Sequence, residues 1–522
     1  MQLKSLETEK ETEYKGKNIP MSSNVKHSIS QSQSLLDLFW KLAVTDEEER
    51  INAATQLVAT LRKIVENGDE DDSLQYSVKR LLVGLSSNRQ AAPLGFATAL
   101  CEILREFSDN FHTAQLIAMI KECLQPAKQD NRSHHTHCSI GKILAYSSLI
   151  RSGIIKQAGD ADVRAIVSSL VTIKTRYTML SSAATDCLIQ LCQALPPDDL
   201  RDVVTELLGE ELTSGWEKCT ADTLQLLLVL QEKKVLDSEY ISEHWGVEKL
   251  VCRKTFPYLA RIMVQSTTHH PIVHPVNAMI VSQAVAAGRK VSSKLWKDVI
   301  IGEVYNTEKH SRCYMIYQLI SEVLKSSDKI QSVASILCPE LIGPLMRQMT
   351  NRDTYLHKAA VKLMADIVDA IKKTSKGSLQ LEILRCLLTE PGSFMFDSIT
   401  ATRTISNIIS NLSADAAKEF SQDLMSVISA AAPLCGRRGD GIVSWSSITL
   451  THLLNIPSIR QDVSDSTWQT DILKFLFLHS CFVLKQPLTK LDHIKCILYY
   501  VFYQYFIETK FCCVKSVKKW LL

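Results

Sequence analysis

Glycine and proline are both scarce here, 18 and 14 in 522 residues. Folds that turn often and tightly need more of both. The shortage therefore argues against β-sandwiches and doubly wound sheets and in favour of helices. Charge of one sign is missing too. Lys and Arg number 59 against 56 Asp and Glu, a net of +3, so no chain-wide basic field draws in nucleic acid. Long apolar runs are absent. The strongest, 494–507, is broken by Lys495 and Gln504 and falls short of the roughly 20 residues that span a bilayer. The first residues, MQLKSLETEKETEYKGK, lack the apolar core of a signal peptide. No phosphate-binding loop is present, because GRRGDG at 436–441 lacks the Gly-Lys-Ser/Thr ending. That stretch reads as a loop. Together these absences predict a soluble intracellular chain with no membrane partner, no cofactor and no small-molecule substrate.

What is present is helical periodicity. The clearest stretch is YSVKRLLVGLSSNRQAAPLGFATALCEILREF, 76–107. Tyr76, Leu81, Leu82 and Leu85 share one stripe, and Phe96, Leu100, Ile103, Leu104 and Phe107 share another. Those i, i+3, i+4 and i+7 spacings predict two amphipathic helices. Ser86-Ser87-Asn88 supplies turn and N-cap chemistry, and Pro93 suits a first turn. A hairpin with such a seam must stack on neighbours, and similar helical segments follow it along the chain. Helix pairs recur every 35 to 45 residues or so, near the period of about 40 to 47 for HEAT and armadillo units. The fold class read from this is all-α, an α-solenoid of degenerate HEAT/armadillo-like repeats. Residues 1–33 read as a disordered polar arm and 34–266 as a first helical-repeat block. An irregular connection at 267–277 (TTHHPIVHPVN) precedes a second block at 278–483, and 484–522 forms an atypical aromatic tail. Fifteen cysteines, most of them in apolar helical stretches, read as reduced core thiols and not as a disulfide framework.

Residues with chemical potential are few. A polymerase needs paired carboxylates holding two metal ions about 3.5–4 Å apart. Asp160-Ala161-Asp162 is the nearest local candidate, and it reads better as a helix cap. The acidic GDEDDS at 68–73 reads as a solvated turn. His134, His135, His137 and Cys138 lie close in sequence but have no distant Cys-x-x-Cys pair to complete a tetrahedral site. His269, His270 and His274 flank prolines and read as connection. Neither catalytic nor metal-binding residues are predicted. Leu-x-x-Leu-Leu occurs at Leu224–Leu228, Leu384–Leu388 and Leu450–Leu454, a spacing that serves a helix core or a partner's groove; core is the simpler reading. For nucleic acid the candidate contacts are Lys79, Arg80 and Arg89 in the hairpin and Arg437 with Arg438. Such contacts are salt-sensitive, and ordinary solvated charge is the plainer reading of the same residues.

Several stretches resemble one family. They are FWKLAVTDEEERINAATQLV (39–58), the hairpin above, CSIGKILAYSSLIRSGII (138–155), LWKDVIIGEVYN (295–306) and DILKFLFLHSCF (471–482). In that order they resemble the Myb-binding protein 1a family, also called DNA polymerase phi or DNA polymerase V, over about 35–483. The resemblance implies a helical-repeat protein of the nucleus and nucleolus. It implies roles in ribosomal RNA gene transcription and ribosome biogenesis. It also implies transcription factors or pre-ribosome proteins as partners, with ribosomal DNA or RNA as a further contact. Larger members continue into an acidic segment and a basic tail. This sequence has neither, and is expected to be a shortened or alternatively ended form. The leading expectation is a scaffold without enzymatic activity. The rival is the DNA polymerase of the family name. A karyopherin-like adaptor would need repeated Trp and Asn ladders, which are not evident.

Overall fold

A computed structural model describes residues 29–66, 70–127, 129–269, 273–325, 336–374, 376–431, 437–460 and 467–481. Among the described residues every regular element is helical and no strand occurs. The periodicity of the sequence thus becomes an all-α protein. The chain divides into two compact units. Met1–Lys218 with Asp222–Glu248 form the first, and Cys219–Ala221 with Lys249–Leu522 form the second. The 267–277 connection lies within the second unit.

The first unit begins with α1 (Ile29–Lys41), α2 (Glu47–Glu66), α3 (Glu70–Gly84), α4 (Ala92–Glu106) and α5 (Thr113–Cys123). It continues with α6 (Arg132–Ser152), α7 (Asp160–Arg176), α8 (Ser181–Ala194) and α9 (Pro197–Leu212). The short α10 (Gly215–Lys218), α11 (Ala221–Glu232) and α12 (Ser238–Trp245) follow. Packing alternates along the chain. Helix α4 lies against α2 and α6, and α6 against α8, while α5 lies against α3 and α7, and α7 against α9. Each helix therefore buries its stripe partly on the helix two places away, as the seam of the hairpin requires.

Helices α3 and α4 are the predicted hairpin. Leu81, Leu82, Leu85, Phe96, Leu100, Ile103, Leu104 and Phe107 are all buried, and Tyr76 is half-buried. The turn differs from expectation. Ser86-Ser87-Asn88 does not cap α4. The N-cap is Ala91, which has no side-chain acceptor, and Ser87 Oγ instead accepts from Arg89 N at 3.3 Å. Pro93 sits in the first turn as read. Helix α4 also runs tight against the end of α1, where a Cβ on Gly95 would lie 2.0 Å from the Leu42 carbonyl oxygen. Arg50 Nη1 fixes that end by donating to Val44 O (2.9 Å) and Thr45 O (2.8 Å).

The second unit holds α13 (Phe256–His269), α14 (Pro275–Ala286), α15 (Arg289–Lys294) and a π-helix at Leu295–Val304. Then come α16 (His310–Leu324), α17 (Pro339–Thr350), α18 (His357–Lys373), α19 (Gly377–Leu388), α20 (Phe396–Thr400) and α21 (Thr404–Ser410). Helices α22 (Ala414–Ala431), α23 (Arg437–Asn455), α24 (Pro457–Arg460) and α25 (Thr467–Cys481) complete it. The main packing pairs are α16 with α18, α18 with α21, α19 with α22, and α22 with α23. The π winding replaces the ordinary helix expected for LWKDVIIGEVYN; it closes with Tyr305 N donating to Ile300 O at 2.7 Å.

Three boundaries also differ. Helix α1 starts at Ile29, inside the expected polar arm; residues 1–28 lie outside the described residues. Helix α3 starts at Glu70, so residues 70–73 of the acidic stretch are helical, and acidic residues favour a first turn through the helix dipole. GRRGDG is not a loop from Arg437 onward, where α23 begins. The aromatic tail at 484–522 lies outside the described residues.

Helix α21 is capped from a distance. Asp397 Oδ1 accepts from Ile405 N (2.9 Å), and Oδ2 accepts from Ser406 N (2.9 Å) and Ser406 Oγ (2.8 Å). Asp397→Ala orphans these donors and is expected to cost about 1–2 kcal/mol. Hydrogen exchange at Ile405 and Ser406 should accelerate; unchanged protection there would refute the cap.

Candidate nucleic-acid interface

The basic residues of the hairpin meet aromatic rings from α1. Arg80, half-buried on α3, places its guanidinium 5.3 Å from the Phe39 ring centroid, and its Nη1 donates to Tyr76 Oη at 3.5 Å. Arg89, exposed in the turn, lies 5.7 Å from the centroid of Trp40, which is itself 51% exposed. Cation–ring contacts of this kind hold about 0.5–1 kcal/mol at exposed sites. Lys79 is half-buried and close enough to Cys123 to oppose the upward push of burial on that thiol. Arg437 and Arg438 open α23 in the other unit; their side chains lie outside the described residues. Phe39 and Trp40 are the residues that sequence reasoning missed here. Their adjacency to Lys41 was visible, but their pairing across more than one helix was not.

The carboxylates and histidines have structural positions. Asp160 and Asp162 lie in the first turn of α7, after Gly159, which is the N-cap. They are not caps themselves, and complement the positive end of the helix dipole. The His134–Cys138 stretch is helical and not a connection. Asn131 caps α6 by accepting from His134 N at 2.8 Å. His134 Nε2 lies 3.5 Å from Cys138 Sγ and 3.6 Å from Asp130 Oδ2. His274 is buried as the N-cap of α14, its Nδ1 accepting from Val276 N at 3.2 Å; His270 lies outside the described residues. Among the described residues no three His, Cys, Asp or Glu side chains gather as a metal site. Nor is any described helix long and apolar enough to cross a membrane.

The leucine motifs are core. Leu224, Leu227, Leu228, Leu384, Leu387, Leu450, Leu453 and Leu454 are buried. The described cysteines carry free thiols. Burial pushes Cys187 and Cys192 on α8 up to about 12, so both stay protonated at neutral pH.

The family model for DNA polymerase phi matches residues 76–496, from the start of the hairpin stripe to beyond α25. The chain belongs to the DNA polymerase phi family. Within that family its relatives include the rDNA transcriptional regulator pol5 of Schizosaccharomyces pombe, 22% identical over 86% of this chain and 48% of the relative. A Myb-binding protein 1A-like protein of Danio rerio is 23% identical over 63% of this chain and 25% of the relative. The rDNA transcriptional regulator POL5 of Saccharomyces cerevisiae is 41% identical over a 68-residue stretch. This chain thus spans about half, or less, of the relatives it matches. The DNA polymerase phi match also reaches past residue 483, into the stretch read from the sequence as an atypical tail.

Proposed function

We propose that this chain is a helical scaffold of the nucleus and nucleolus that regulates transcription of ribosomal RNA genes and supports ribosome biogenesis, and that it carries no polymerase chemistry. The observation behind this reading is the alignment of 86% of the chain with a protein named as an rDNA transcriptional regulator. Alternate-helix packing through α2 to α9 supports a degenerate HEAT/armadillo-like solenoid, an architecture whose extended surfaces hold other macromolecules. Transcription factors or pre-ribosome proteins are its partners in this reading. Lys79, Arg80, Arg89, Arg437 and Arg438 serve any contact with ribosomal DNA or RNA.

The test is to tag the chain in cells and follow three readouts: nucleolar accumulation, crosslinking to the rDNA repeat, and pre-ribosomal RNA synthesis after depletion. Accumulation, enrichment over flanking DNA and reduced synthesis are the expected results. A diffuse cytoplasmic signal with unchanged synthesis would overturn the proposal. The polymerase reading has its own test. Template-directed primer extension by the purified chain with Mg2+ would remove the claim that it is not an enzyme.

A further inference from the structure

One surface in the second unit combines exposed rings with cations that have no ion-pair partner among the described residues. Tyr355, in the turn between α17 and α18, is 90% exposed. Its ring stands edge-on to His310, the first residue of α16, with centroids 5.7 Å apart and planes at 67°. Tyr314 lies one turn further along α16, on the same face as His310, and is also exposed. An exposed tyrosine held against a second ring in this way is not core, since its own face remains open to solvent.

The charge around these rings is mainly positive. Lys309 adjoins His310, and Arg352 and Lys358 flank Tyr355, against the carboxylates of Glu308 and Asp353. Lys309, Arg352 and Lys358 are all exposed. Aromatic faces interleaved with cations suit unpaired bases joined by phosphates. The bases stack on the rings while the cations neutralise the backbone. Duplex nucleic acid hides its base faces and has nothing to stack. An acidic protein segment would use the cations but leave the rings without a partner.

We propose that His310, Tyr314 and Tyr355, with Lys309, Arg352 and Lys358, form a binding site for single-stranded nucleic acid. The site does not depend on the rDNA-regulator reading, since binding is measured on the isolated chain and requires no transcriptional role.

The test is fluorescence anisotropy of the full chain with labelled oligo-U RNA, oligo-dT DNA and a duplex of equal length. Single strands should bind more tightly than the duplex, and the RNA and DNA arms identify which source is preferred. Tyr355→Ala should weaken single-strand binding by about tenfold, and Tyr355→Phe, which keeps the ring, should bind like wild type. Arg352→Ala should reduce the slope of log affinity against log salt by about 0.7. Both positions are exposed, so circular dichroism should show unchanged helicity. The proposal is overturned if the chain binds no single strand, if duplex binds as tightly, or if Tyr355→Ala leaves affinity unchanged. It is overturned equally if Tyr355→Phe is as damaging as Tyr355→Ala.

Discussion

Gly95→Ala lowers the melting temperature of the first unit, although helix propensity alone says it should raise it. Within a helix, alanine is favoured over glycine by about 1 kcal/mol. At Gly95 the added Cβ would stand 2.0 Å from the Leu42 carbonyl oxygen and 3.1 Å from Arg50 Cδ. The carbonyl is backbone, and its neighbours Val44 and Thr45 are tied down by the Arg50 guanidinium. Relief therefore requires α4 to move away from the end of α1, at the buried Leu42. Overpacking costs about 1–3 kcal/mol and occasionally more. Against a backbone atom the upper end applies, so a net loss of about 2 kcal/mol is expected. For a unit of this size that is a fall of roughly 4–8 °C. Gly209→Ala is the matched control. Gly209 lies inside α9 and a Cβ there meets nothing within 4 Å, so the variant should gain about 0.5–1 kcal/mol. A Gly95→Ala variant that melts at or above wild type would disprove the close approach of α1 and α4.

The second large effect is expected at Gln380, a polar side chain only 2% exposed. Its two Nε2 protons are shared among Ile371 O (3.4 Å), Thr374 O (3.3 Å) and Asn411 O (3.2 Å). Its Oε1 accepts from Ser413 N at 3.0 Å. One amide thus joins the end of α18, the body of α19 and the approach to α22. Gln380→Leu keeps the volume and removes every bond. Each buried group left unsatisfied costs about 1–3 kcal/mol. The helix-end carbonyls can partly turn to water, so the total should be about 2–4 kcal/mol. Hydrogen exchange at the Ser413 amide is the local readout and thermal melting the global one. A loss under about 0.5 kcal/mol, within the range of ordinary surface changes, would mean that water already serves these groups.

Both sites illustrate what the sequence made legible. The stripes through Leu81, Leu82 and Leu85 and through Phe96, Leu100 and Leu104 announced helices, and they are buried as read. So are the leucine motifs, apart from the half-buried Leu388. Periodicity reports burial because a helix repeats every 3.6 residues whatever it packs on. Partners chosen by tertiary structure left no such mark. Arg80 and Arg89 were visible as cations, but not the Phe39 and Trp40 rings beneath them. Asp397 caps a helix that begins seven residues later, at Thr404, beyond the reach of any local capping pattern. The π winding at Leu295–Val304 keeps the apolar content of an α-helix and changes only its hydrogen-bond ladder. The helix starts at Glu70 and Arg437 fall in acidic and glycine-bearing stretches that resemble turns. At Glu70 the helix dipole favours an acidic first turn over the local turn preference.

The alternation of packing partners through α2 to α9 also bears on how the chain assembles during synthesis. A helix that rests chiefly on neighbours one and two places away finds its partners within a few tens of residues. Loop closure over such distances is entropically cheap, and a topology of short-range contacts folds fast. The amino-terminal helices can therefore dock on one another while later ones are still emerging from the ribosome. Opening can begin at a terminus and pass from helix to helix. The buried thiols of Cys187 and Cys192 lie on α8, near the far end of that series, so their rate of alkylation would time the passage.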